Sequence, residues 1–229
     1  MAVVVEEPAP TLIQSVPAAD PAPLGLAAFA LTTFILSGHN ATFIPDLVWV
    51  GLALFYGGLV QLLAGMWEFR NRNVFGATAF STYGGFWLSL GIFVTFIVLS
   101  KNFAGAITSN PADVDNAVAW FLLAFAIFNT YMLLWSTRVS VAVFAVFATL
   151  EATEIILAIG NWYAAHGHAN NSIIHIGGWV GIVTAACAWY ASAAGVVNGM
   201  SPTPILPVGR AMWSGVLKVG SPMPRRAEA

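Results

Sequence analysis

Two carboxylates, Glu151 and Glu154, stand three positions apart inside an apolar run that extends from residue 140 to 160. An ionisable side chain at membrane depth costs about 2.5–3.5 kcal/mol on insertion scales, so it persists where it faces protein or water. Such a group can carry a proton or line a solute path. It can equally serve as a structural acid bonded within its own bundle. Helical spacing puts Leu150, Glu154 and Leu157 on one face and turns Glu151 about 100° away from Leu150. His39 and His175 fall near the ends of the first and last apolar runs. Each reads first as a satisfied structural histidine; the alternative is that both face one outer vestibule, where imidazole changes charge near neutral pH. Glu68 lies where the second apolar run meets Arg70-Asn71-Arg72, and pairing with one of those arginines is expected. Gln61, Tyr83 and Asn129 add polar groups to otherwise apolar stretches.

Other chemistry finds no foothold. Cys187 is the one cysteine and excludes an internal disulfide. The His166-x-His168 pair is a weak ligand pattern, so no metal site is expected. Neither a phosphate loop, a nucleophile elbow, a zinc-type His-Glu-x-x-His nor a dinucleotide fingerprint occurs. The expectation is a protein that is not an enzyme and has no cofactor.

The elements that must hold these groups follow from composition. Only 8% of the 229 residues are charged, 59% are hydrophobic, and the mean hydropathy is +0.80. Soluble domains carry about 25% charged residues, so the solvent here is lipid. A net charge of −2 offers nothing to a nucleic acid. A spanning helix needs about 20 apolar residues. Six such runs are read at 24–43, 47–67, 74–99, 117–136, 140–160 and 173–197. They are too long and too little alternating for barrel strands. The fold class is therefore all-α, a polytopic bundle over 20–200. A disordered tail over 1–19 and a cytoplasmic tail over 201–229 flank it.

Basic residues set the orientation. With a cytoplasmic N-terminus, Arg70, Arg72, Arg138, Arg210, Lys218, Arg225 and Arg226 lie inside and only Lys101 lies outside. Both termini are accordingly expected in the cytoplasm. Trp49, Trp67, Trp120, Trp135, Trp162 and Trp179 sit near span ends, as interfacial anchors do. The stripe Gly177, Gly181, Ala185 and the patch Gly57-Gly58-Gln61 permit close helix approach, within the subunit or between subunits. Phe121, Phe125 and Phe128 form a face suited to packing or lipid contact.

Several spaced motifs carry a resemblance. Asp20-Pro21-Ala22-Pro23-Leu24-Gly25-Leu26 opens the first span. His39-Asn40, Phe55-Tyr56-Gly57-Gly58 and Gln61 before Ala64-Gly65 and Glu68 follow. Then come Phe75-Gly76, Thr78-Ala79-Phe80-Ser81-Thr82-Tyr83-Gly84 and Phe86-Trp87-Leu88. Ala158-Ile159-Gly160-Asn161, Ile173-Ile174-His175, Gly178-Trp179 and Leu206-Pro207-Val208-Gly209 complete the order. Over residues 20–209 this resembles the acetate uptake transporter family, which includes bacterial succinate–acetate permeases and fungal acetate transporters.

The resemblance implies six helices per subunit, a homohexamer in the cell membrane, and a solute path through each subunit. It implies transport of acetate and related carboxylates, including succinate, by a channel or a proton-coupled route. It also implies an apolar constriction of Phe29, Tyr83 and Leu150. The opening turn is expected to help bind the carboxylate through Asp20, Pro21, Pro23, Leu24 and Gly25. Proline lacks an N–H, which leaves Leu24 and Gly25 as the donors at a helix start. Asp20 stands where the family has Asn and is expected to cap the helix. Glu151 and Glu154 stand where the bacterial permeases are mostly apolar, and Glu154 is expected to couple flux to pH. Two other readings stay open. One is a pore for water, ammonia or undissociated acid. The other is a membrane sensor or scaffold that transports nothing.

Overall fold

A computed structural model describes residues 18–45, 47–99, 111–168 and 172–213. Six helices are long and apolar enough to cross a membrane, and no strand occurs among the described residues. We label them α1 (Ala22–Asn40), α2 (Val48–Arg70), α3 (Val74–Leu99), α4 (Pro111–Ser136), α5 (Val141–Ala165) and α6 (Ser172–Gly199).

Two boundaries differ from the sequence reading. The fourth helix begins at Pro111, ahead of the expected 117. Proline suits a first helical turn because its missing N–H needs no partner there. The fifth helix runs on to Ala165, past the expected end at 160. Asn161 Nδ2 donates to Leu157 O at 2.8 Å, so this polar side chain is accommodated inside the helix. Lys101, Lys218, Arg225 and Arg226 lie outside the described residues.

The chain folds into a ring of helices. α1 packs most extensively on α6, α6 on α5, and α5 on α4, while α2 lies between α1 and α3. Small residues make the α1–α6 approach possible. A methyl group on Gly178 would stand 2.5 Å from Ala41 N, and one on Gly181 would meet Ser37 Oγ. Gly177 instead faces Leu157 of α5. The glycine stripe thus serves packing within the subunit.

The ring closes differently between α3 and α4, whose backbones barely approach each other. Aromatic side chains fill the seam. Phe86 meets Phe125 and Phe121 with ring centroids 4.8 and 5.1 Å apart, and Tyr83 meets Phe128 at 5.6 Å. The Phe121–Phe125–Phe128 face is therefore the backing of Tyr83 rather than a lipid surface.

Helix α2 changes pitch in its middle. Phe55–Val60 is a π-helical segment between two α-helical ones. Such wide turns re-aim the residues that follow and recur at functional sites. Here Gln61 comes next and lies 1% exposed inside the bundle.

The segment after α6 is not a free tail over its described part. Ile205 N and Leu206 N donate to Asn198 Oδ1 at 2.7 and 2.9 Å. Tyr190 Oη donates to Pro207 O at 2.6 Å, and Ala142 N to Val208 O at 2.9 Å. Met212 N donates to Thr137 O at 2.7 Å. Residues 205–212 thus strap the end of α6 to the α4–α5 turn.

Candidate functional site

Two cavities enter the bundle from opposite ends. The near cavity lies on the side of the chain termini, and its volume is about 90 Å³. Ala22, Leu26, Gln61, Glu68, Asn73 and Phe80 are among its walls. The far cavity has about 340 Å³ and is more polar, with Thr33, Ser37, His39, Asn40, Asp115, Thr153, Glu154 and Asn161 in its lining. Three side chains line both: Phe29, Tyr83 and Leu150. They come from α1, α3 and α5 and are 4%, 3% and 6% exposed. Phe29 and Tyr83 meet edge to face with centroids 5.8 Å apart.

Tyr83 is held from behind. Its hydroxyl donates to Asn129 Oδ1 of α4 at 2.9 Å. Asn129 is fully buried, and its Nδ2 donates to Phe147 O at 2.9 Å and to Glu151 Oε2 at 2.7 Å. Thr130 Oγ1 donates to Glu151 Oε1 at 2.7 Å. Glu151 therefore sits in the α4–α5 interface and lines neither cavity, contrary to a pore-lining role.

Glu154 is placed differently. It lines the far cavity, is 2% exposed, and neither carboxylate oxygen has a hydrogen-bond partner. The Tyr83 hydroxyl stands beside it without bonding geometry, being committed to Asn129. Thr153, next to it, bonds to Thr184 of α6 at 3.0 Å.

The near cavity has an acid of its own. Glu68 is fully buried, lines that cavity, and has both oxygens unpartnered. It does not pair with Arg70 or Arg72, which are not buried. The local fold explains this. The chain turns after α2 with Arg72 at φ 60°, and Asn73 N donates to Glu68 O at 3.1 Å. Asn73 Oδ1 then caps α3 by accepting from Gly76 N at 3.1 Å. A methyl on Gly76 would lie 2.6 Å from Glu68 Oε1, so glycine makes room for the carboxylate. Gln61 Oε1 is also buried without a partner. The signal for the inward placement of Glu68 is Gly76, the third residue after Asn73, which no periodicity points to.

Buried donors without partners also occur, and they flank the far cavity. Trp49 and Trp87 line it at 4% and 3% exposure, and their Nε1 atoms have no partner. Trp49 was expected as an interfacial anchor. It faces inward instead, whereas Trp67, Trp120, Trp135 and Trp179 are exposed as anchors would be.

The two histidines part company. His39 lines the far cavity, and His175 is exposed outside it, with Ile174 taking the inward position. The opening turn is also not as expected in detail. Asp20 Oδ1 accepts from Ala22 N at 3.0 Å, as a cap does. Gly25 N donates to Pro21 O at 3.1 Å within α1, so it is not free to bind a carboxylate. Gly25 instead permits contact between α1 and α3, since a methyl there would reach Phe80 at 2.8 Å. Pro23 packs on Gly195, and its carbonyl accepts from Ser192 Oγ at 2.6 Å. Of the turn, Ala22 reaches the near cavity, while Leu24 is 49% exposed.

A family model described as the GPR1/FUN34/yaaH family matches residues 6–209. The chain belongs to this family, the acetate uptake transporters. Among its members, acetate permease A of Emericella nidulans is 42% identical over 216 residues, covering 90% of this chain and 72% of that protein. The succinate-acetate/proton symporter SatP of Escherichia coli is 34% identical over 83% of this chain and 95% of its own length. Four further fungal members are 37–43% identical, and the chain spans 59–64% of their length. One of these is ammonia transport outward protein 2 of Saccharomyces cerevisiae. The solved bacterial acetate channel SatP superposes with a TM-score of 0.73 at 34% identity, covering 84% of this chain and 99% of that one. This family member is a multi-pass membrane protein of six helices.

Proposed function

We propose that the chain carries acetate and similar small carboxylates, succinate among them, across the cell membrane, moving solute rather than transforming it. The observation that carries this reading is the junction of the two cavities. Phe29, Tyr83 and Leu150 alone line both, in a chain whose family includes an acetate permease and an acetate channel. These three form the gate. A dry aromatic ring accepts the methyl group of acetate and hinders larger or fully hydrated ions.

The carboxylate end needs donors. The unpartnered indole N–H groups of Trp49 and Trp87 suit it on the far side. Glu154 lines the path one turn from Leu150 and couples flux to pH by taking up and releasing a proton as the anion passes. An anion path lined by uncompensated carboxylates is otherwise self-defeating. Asp20 to Gly25 shape the entry to the near cavity, with Asp20 as the cap. Both termini are cytoplasmic, so the near cavity opens to the cytoplasm. The subunits assemble as a homohexamer, each with its own path.

A second reading has one observation behind it. The unpartnered oxygens at the near cavity belong to Glu68 and Gln61 and favour a donor solute, and one relative is named for ammonia transport. A pore for ammonia is that alternative.

The test is reconstitution in liposomes, following labelled acetate entry with the membrane potential clamped at two values. Saturable entry that depends on potential and is altered in Phe29→Ala supports the acetate path. Entry no faster than in empty liposomes overturns it, and ammonia flux then decides the second reading. A Glu154→Gln protein with unchanged flux and pH profile removes the coupling role.

A further inference from the structure

Tyr83 is the one gate side chain with a polar atom, and that atom donates to Asn129 of α4 rather than to the Glu154 carboxylate beside it. We infer that Asn129 and Glu151 are the positioning residues of the gate. Asn129 fixes the Tyr83 ring through its hydroxyl, and Glu151 fixes Asn129, so the aperture is set from the α4–α5 interface. This inference rests on the gate reading above.

The geometry supplies each link. The seam between α3 and α4 is the least tightly packed part of the ring. Tyr83 crosses it, and its other neighbours there are the rings of Phe125 and Phe128, whose contacts are apolar. Its 2.9 Å bond to Asn129 is the directional contact across that seam. Asn129 has no freedom to turn. Its amide oxygen accepts from Tyr83, and its nitrogen donates to Phe147 O and Glu151 Oε2. Flipping the amide would set its oxygen against two acceptors, Phe147 O and Glu151 Oε2. A fully buried amide cannot make good those losses with water. Glu151 is in turn oriented by Thr130, which occupies its second oxygen at 2.7 Å. Glu151 also follows Leu150 directly in α5, so one helix carries a gate residue and the anchor of another. A shift of α5 along α4 would move both together.

This assigns the two neighbouring acids opposite duties. Glu154 has no partner and faces the solute side. Glu151 has two donors and faces the scaffold. Its part is to hold an amide in place, and the uptake of protons is not required of it.

The experiment compares the full-length protein in liposomes with Glu151→Ala, Glu151→Gln, Tyr83→Phe and Glu151→Ala/Tyr83→Phe. The readout is the ratio of succinate to acetate flux. One hydrogen bond governs roughly a three- to tenfold effect. Glu151→Ala should raise the ratio by about that factor, and Glu151→Gln, which keeps an acceptor for Asn129, should bring it most of the way back. Tyr83→Phe should raise it alike, and the double variant should add nothing further, because the bond is already gone. Additive effects, or a silent Glu151→Ala in a protein that carries acetate, overturn the inference. A second measurement is independent of any solute. With 3-fluorotyrosine at position 83, the ¹⁹F resonance should move in Glu151→Ala and not in Glu151→Gln. If wild-type liposomes carry no acetate, the function proposed above fails, and this resonance still decides the positioning role. An unmoved resonance ends it.

Discussion

The two cavities meet at the same three side chains, yet among the described residues the buried donors without partners line only the far one. At the near cavity the unpartnered atoms are oxygens of Glu68 and Gln61, all acceptors. At the far cavity the indole N–H groups of Trp49 and Trp87 stand as donors alongside the Glu154 carboxylate. The far side is also the larger, about 340 against 90 Å³. An anion thus finds unpartnered donors where there is room to keep its water, and unpartnered acceptors where there is little.

The strongest way to break this contrast is to remove the wall between the cavities. Phe29→Ala should raise the succinate-to-acetate flux ratio by about tenfold or more, since pocket fit alone is worth that much per small group. An unchanged ratio would mean that the solute crosses elsewhere. The two acids come next. Glu154→Gln and Glu68→Gln should each change acetate flux about three- to tenfold, the worth of one ordinary hydrogen bond. The effects should differ in sidedness in oriented vesicles, with Glu154→Gln read from the far side and Glu68→Gln from the near side. Equal effects from both sides would erase the distinction. Trp87→Phe keeps the ring and deletes the donor, and should raise the half-saturation for acetate about threefold from the far side only. The smallest contrast lies between the histidines. His39→Ala should alter flux by roughly a factor of two, the value of one weak polar contact, and His175→Ala should alter nothing. A His175→Ala effect as large as that of His39→Ala would show that both reach the path.

How much of this was readable beforehand depended on the range of the interaction. The six spans followed from apolar runs, because membrane thickness imposes a length on each helix independently. The trio Phe29, Tyr83 and Leu150 came from spaced motifs, and no periodicity would have joined three helices. Glu151 and Glu154 illustrate the limit. Both read as costly acids in one span, and 100° of rotation separates them. Only the position of α4 decides that Glu151 bonds to Asn129 and Thr130 while Glu154 has no hydrogen bond. Glu68 was misread for a related reason. Nearby arginines in the sequence suggested a partner, whereas the turn at Arg72 and the absent side chain of Gly76 carry the carboxylate inward. The strap over 205–212 was equally hidden, since its bonds are made by backbone atoms that every sequence has.

The glycine-lined contact of α1 with α6 bears on how the protein is made. The most extensive pairing that the first span makes is with the last. Spans inserted one after another into a bilayer can associate only with those already present. Through most of synthesis α1 lacks its principal neighbour, and Phe29, the gate residue proposed on it, has no finished wall to close against. The ring becomes a closed vessel only when α6 arrives. A half-made chain is thus an open sheet of helices, and a nascent chain stalled before Gly178 should be a target for membrane quality control rather than a leak.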